Sequence, residues 1–256
     1  MARGPAEMPF LDHLEELRWR IIWSVAALLA GSLIGFFVVT QLNVIGLLER
    51  PIRDLLPGQQ LAYTSPTTPI LVTLKLAFVV GFLVALPVAA YQAWAFLSPA
   101  LYERERRYVM PAVAVGSLLF SAGVAMAYFL VLPLGLRFLL GFQSESLSPI
   151  ITIDEYLRFA TGIILAFGLI FEMPVVLVVL GLLGIVTPKT LRRFRRHALV
   201  VLAILSAILT PADVGTMLMM LAPMALLYEL SIWLVRAVVP ARDGGRELVE
   251  SQGSAG

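Results

Sequence analysis

Between Ile21 and Leu42 the chain carries no charged residue. An α-helix rises about 1.5 Å per residue, so about 20 such residues cross the ~30 Å hydrocarbon layer of a bilayer. The run is expected to be a membrane span. It is too long for a cleavable signal peptide, and no A-x-A-like site follows it. The whole chain agrees: 59% of its 256 residues are hydrophobic and 14% charged, where soluble domains have about 45–50% and about 25%. One core in water cannot hide that much apolar surface. Soluble enzyme and disordered chain are excluded, and a disulfide scaffold fails because there is no cysteine. The net charge of +2 offers no basic surface for nucleic acid.

Six spans are expected, at about 21–42, 70–96, 109–132, 156–183, 198–209 and 214–238. Lys75 lies near the start of the second, where it can snorkel, and Pro87 is expected to kink it. The third is dense in Gly, Ala and Ser, which suits close helix packing. The fifth reaches only about 18 Å as a helix. The sixth is interrupted by Pro223 and Glu229, so the last two are expected to be short and joined by a tight turn at Thr210–Asp213. Before the first span, residues 1–20 read as a cytoplasmic segment in which Leu11, Leu14 and Leu17 share one face of an amphipathic helix lying at the membrane. A second short amphipathic helix is expected around Leu47–Leu56, and Thr152 with Glu155 has capping-box spacing at the start of span four. Residues 239–256 read as a disordered tail. No internal repeat is visible, which argues against an inverted-repeat transporter.

Orientation follows from Lys and Arg in the flanks. The N-terminus, the loops after spans two and four, and the C-terminal side hold the basic clusters, among them Arg18, Arg20, Arg106, Arg107, Arg192 and Arg193. The opposite side has only Arg50, Arg53 and Arg137, with Lys75 and Arg158 at span edges. Both termini are expected to be cytoplasmic.

Enzyme motifs are missing: no H-E-x-x-H, no G-x-S-x-G and no P-loop. Two histidines in the flanks and no cysteine make a metal site an unpromising reading. No enzyme, cofactor or metal is expected, and the carboxylates carry what chemistry there is. Glu172 lies within span four ahead of Pro174. A carboxyl at that depth costs a few kcal/mol unless it is protonated, paired or wet. It reads either as a polar clamp to a neighbouring helix or as a proton, ion or partner site. Asp213 reads as a turn or N-cap residue, and Glu229 as either interface-facing or paired with an Arg. Glu16 and Glu105 stand inside the basic cytoplasmic face. Singly each reads as a solvated or salt-bridged charge; together they suit a basic ligand, since each carboxylate can take one guanidinium bidentately.

Four motifs then fall in order along the chain: Phe10-Leu11-x-His13-Leu14-x-Glu16-Leu17-Arg18-x-Arg20; Tyr91–Phe96 followed by Pro99–Tyr102 and Glu105-Arg106-Arg107; Phe171-Glu172-Met173-Pro174; and Leu209-Thr210-Pro211-x-Asp213. Together they resemble the TatC family, the multispanning subunit of the twin-arginine protein translocase. The resemblance implies a concave, glove-like wall of six helices, N-in and C-in, in a bacterial inner membrane. It implies a receptor for folded proteins whose signal peptides carry an Arg pair, driven by the proton motive force. By position Glu16 and Glu105 match the residues that bind the Arg pair, with Phe96 and Arg106 on the same loop surface. Glu172 matches an intramembrane carboxylate that serves single-span partner subunits of the TatA and TatB type, with Gln92 in the same polar cluster. Pro51 and Asp213 match further family positions, although Ala212 stands where a second Pro is common. Lipids and further copies of the chain are the other implied partners. The rival reading is a proton-coupled small-solute transporter using Glu172.

Overall fold

The computed structural model describes residues 10–53, 55, 61–97, 109–141, 150–209 and 214–238. Among these the chain is helical, apart from one isolated parallel bridge between Ala62 and Thr152. The helices are α1 Phe10–Gln41, α2 Val44–Arg53, α3 Thr68–Leu97, α4 Val109–Met126, a π-helical turn Ala127–Val131, α5 Leu132–Gly141, α6 Ile153–Phe171, α7 Met173–Leu182, α8 Pro188–Arg193, α9 Arg195–Leu209 and α10 Val214–Val238. Among the described residues, five stretches are long and apolar enough to cross a membrane: Leu14–Gln41, Thr68–Phe96, Met110–Gly141, Ile153–Leu182 and Val214–Val238. The expected fifth span corresponds to α9, whose 15 residues reach about 22 Å.

Four details differ from the sequence expectations. The N-terminal amphipathic segment is not a separate helix, because α1 runs unbroken for 32 residues from Phe10. From Phe10 to Ala30 its Leu, Glu and Arg are good helix formers, and no Gly or Pro falls between the amphipathic part and the apolar run. The third crossing extends to Gly141 through the π-turn. Span four is interrupted at Glu172, where Pro174 sits at the start of α7 and supplies no N–H to the preceding turn. The last helix has its expected bounds, 214–238, but is not interrupted: α10 passes through Pro223 and Glu229 for 25 residues, as neighbouring helices allow in a membrane.

The turns follow from single residues. Asn43 takes a positive φ of 47° between α1 and α2, and its Oδ1 accepts from Gly46 N at 3.2 Å, so it ends one helix and caps the next. Gly184, at φ 75°, closes α7 in a Schellman arrangement, with Ile185 N donating to Leu180 O at 2.9 Å and Gly184 N to Gly181 O at 3.0 Å. Thr152 caps α6, its hydroxyl accepting from Glu155 N at 3.4 Å, as the spacing implied.

The core lies among α6, α10, the π-turn and the lower face of α2, with Phe167, Met224 and Leu132 fully buried. By contrast α1 leaves Leu29, Leu33 and Phe37 exposed, as expected of a helix whose outer face meets lipid. It is joined to the bundle chiefly through α3, and the seam is made of glycine. A Cβ on Gly35 would lie 2.2 Å from Ala77 O, one on Gly31 2.5 Å from Gly81 O, and one on Gly81 2.5 Å from Ser32 Cα. With no hydrophobic drive between helices in lipid, such backbone approach supplies the attraction.

The amphipathic α2 is held down by two tyrosines. Pro51 inside it has no N–H, so the Leu47 carbonyl lacks its helical donor. Tyr128, in the π-turn, donates to that carbonyl at 2.7 Å, and Tyr156 donates to the next one, Leu48 O. Tyr128→Phe should therefore cost about 1–3 kcal/mol by orphaning the acceptor, and clearly less in a Pro51→Ala background, where a backbone N–H returns. A double-mutant cycle by equilibrium unfolding in mixed micelles checks this; equal losses in both backgrounds would refute the coupling.

Candidate functional site

Two polar centres occupy different places in the bundle. The first lies where the N-terminal part of α1 meets the C-terminal part of α3. Glu16 and Arg20 are one helical turn apart, with the acidic residue N-terminal, the better order for an i,i+4 pair. Arg20 Nε donates to Glu16 Oε1 at 3.0 Å, and Nη2 donates to the same oxygen. Arg20 Nη1 donates across the seam to Gln92 Oε1 at 3.2 Å. The guanidinium is thus fixed at both ends by side chains from two helices. Glu16 Oε2 is buried and has no hydrogen-bond partner among the described residues. A buried acceptor left unmade costs about 1–3 kcal/mol, so the site carries an unmet demand for a donor.

Beside this cluster a groove of about 520 Å³ runs between α1 and α3. Leu17, Ile21 and Leu28 line one wall and Phe82, Leu86 and Phe96 the other, with Arg20 and Gln92 at its polar end. An apolar trough whose polar end is a guanidinium held by a carboxylate with one unpartnered oxygen suits an amphipathic segment with a cationic head.

The second centre is Glu172, at the break between α6 and α7. It faces α4: a Cβ on Gly116 would come within 2.7 Å of Glu172 Oε2. Gly116 thus makes the space that the carboxyl occupies. Glu172 Oε1 is buried with no hydrogen-bond partner among the described residues. The polar-clamp reading therefore finds no partner for this oxygen among the described residues.

Of the residues singled out from sequence, Glu16, Phe96 and Gln92 come together. Gln92 is a correction: it was grouped with Glu172, but its hydrogen bond goes to Arg20, and it lines the α1–α3 groove. Pro51 lies in α2, away from both centres, where it shapes the tyrosine brace. Glu229 pairs with Arg195 at 2.5 Å, as expected of an interface carboxylate. Glu105, Arg106 and Asp213 lie outside the described residues. Sequence reasoning missed Arg20 as the partner of Glu16, although the i,i+4 spacing signals it. It missed the groove altogether, since that depends on which faces of α1 and α3 meet.

The model of the family described as "Sec-independent protein translocase protein (TatC)" matches residues 12–223. The chain belongs to the TatC family. It is 43% identical over 229 residues to the Sec-independent protein translocase protein TatC of Aquifex aeolicus, covering 89% of this chain and 94% of that protein. It is 42% identical over 251 residues to the TatC of Koribacter versatilis, covering 96% and 92%. A crystal structure of the twin-arginine translocase receptor TatC superimposes with a TM-score of 0.78 at 42% identity, covering 88% of this chain and 99% of that one. The family and the apolar helices make this TatC-family chain a multi-pass protein of the bacterial inner membrane with a role in Sec-independent protein translocation.

Two glycines on one face of α4 separate the site from the scaffold. At Gly116 an added Cβ meets only the mobile end of Glu172, whereas at Gly123 it meets Phe167 O at 2.6 Å. Gly116→Ala should change stability by less than about 1 kcal/mol while displacing the carboxyl, and Gly123→Ala should cost about 1–3 kcal/mol by overpacking against backbone. Thermal unfolding of both variants in detergent measures the difference; a Gly116→Ala loss as large as that of Gly123→Ala would show that Glu172 cannot yield.

Proposed function

We propose that this chain is the receptor subunit of a twin-arginine translocase, binding the Arg pair of a signal peptide at Glu16 and Glu105 on the cytoplasmic face. The observation that carries the reading is Glu16 Oε2, buried and without a hydrogen-bond partner among the described residues, on the carboxylate that holds Arg20 at the polar end of the α1–α3 groove. Arg20 holds the other oxygen and orients the carboxylate, and Gln92 holds Arg20. One guanidinium of the pair takes Glu16 Oε2, and the second takes Glu105, with Phe96 and Arg106 beside it. The apolar part of the signal peptide lies along the groove. A Lys pair fits poorly, because an ammonium is a point charge and cannot make the planar two-bond fork.

Glu172 has a separate task. Its unpaired oxygen, next to the small Gly116 surface, accepts a hydrogen bond from a polar group on a single-span partner helix of the TatA or TatB type. Inside a bilayer such a bond has no competing water. The chain contributes binding and no catalysis, its termini face the cytoplasm, and the proton motive force supplies the energy for export. Several copies work together in the receptor complex.

Full-length protein in nanodiscs, titrated with a fluorescent Arg-pair signal peptide, tests this. Glu16→Gln should weaken binding at least about tenfold, since breaking a buried charge-assisted bond costs 2–5 kcal/mol. Gln92→Ala should weaken it less, because it acts through Arg20, and Glu172→Gln should leave peptide binding unchanged while abolishing capture of the partner helix. Unaltered peptide affinity in Glu16→Gln, with a Lys-pair peptide binding equally well, would overturn the reading.

A further inference from the structure

At the opposite end of the bundle from Glu16, α3 and α6 enclose a groove of about 360 Å³. Its floor is apolar, with Val72, Leu76 and Leu157 all buried. Its rim carries three charges. Lys75 Nζ donates to Asp154 Oδ1 at 2.7 Å, and Arg158 Nη2 lies 3.7 Å from Asp154 Oδ2. One carboxylate between two cations leaves the rim with one net positive charge.

The depth of these residues narrows what the groove can hold. Asp154 is in the first turn of α6, Arg158 one turn further in, and Lys75 two turns into α3 from Thr68. In a spanning chain that is the level of the headgroups and the first methylenes below them. The Arg158 side chain is 78% exposed and that of Lys75 59% exposed. Phe78, at the mouth of the groove, is 54% exposed, so the trough opens sideways to lipid. A free anion would need the cations but not the apolar floor, and a solute of the aqueous phase would not enter from the side.

We propose that this groove binds one anionic phospholipid, its phosphodiester held by Arg158 and Lys75 and one acyl chain lying along Val72, Leu76 and Leu157. Asp154 keeps both cations in place and excludes a second anion. The site is independent of signal-peptide recognition, since it shares no residue with the Glu16 centre.

Native mass spectrometry of the delipidated full-length chain tests the assignment, with added dioleoyl phosphatidylglycerol as probe and a galactolipid of the same acyl chains as the uncharged comparison. The expected result is selective retention of the phosphatidylglycerol. Arg158→Gln, which leaves the Lys75–Asp154 pair intact, should weaken retention about fivefold, the effect of about one interfacial cation. Arg158→Lys should restore most of it. Arg53→Gln, removing an exposed cation of α2 outside the groove, should have no effect, which controls for non-specific charge. Equal retention of the galactolipid, an Arg158→Gln protein that holds the lipid as well as the parent, or displacement by millimolar inorganic phosphate would each overturn the proposal.

Discussion

Everything at the Glu16 end rests on how closely α1 approaches α3. Three glycines let the two backbones meet at van der Waals distance, with Ala77 O and Gly81 O pressed against α1. That seam sets the depth and rotation of α1, and with them the reach of Arg20 to Gln92 across the gap. In lipid there is no hydrophobic gain from joining helices, so the register is held by van der Waals contact and a few hydrogen bonds. A side chain in the seam would move both walls of the groove and break the only described polar link between α1 and α3.

A second principle is shared by the two carboxylates. Glu16 and Glu172 each have one oxygen buried and unpaired among the described residues. Unmet buried acceptors are rare in finished protein interiors and carry a cost. Two of them, one at an interface end and one at a helix break, suit a chain that is completed by other chains. The end of the bundle that carries α2 is the opposite case. There the Leu47 and Leu48 carbonyls find Tyr128 and Tyr156, and the Ala62–Thr152 bridge ties two loops together. That end is built as a brace, and the Glu16 end is built to receive.

The sequence made much of this legible, for identifiable reasons. Apolar runs and Thr152 before Glu155 are local signals, and each led to the element found. The bounds of α10 were legible at 214–238, but its continuity was not, because Pro223 was weighed as it would be in water, where a lost backbone bond is not made good by packed neighbours. The continuity of α1 was missed because amphipathic pattern and apolar run were treated as different objects, although nothing between them breaks a helix. Gln92 was assigned to Glu172 because family motifs give order along the chain and not the face of a helix. The groove was invisible for the same reason: it exists only once α1 and α3 are set side by side.

The central claim is that an Arg-pair signal peptide docks with its head at Glu16 and its apolar stretch in the α1–α3 groove. The chain has no cysteine, so a photoreactive probe can be placed at a single engineered thiol. The decisive comparison is Ser24→Cys, in the groove, against Leu33→Cys, which is 75% exposed on the outer face of α1. The account predicts strong cross-linking of the peptide from position 24, little from position 33, and loss of the position-24 product when Glu16→Gln is added. Equal products from both positions, or a position-24 product indifferent to Glu16→Gln, would contradict it.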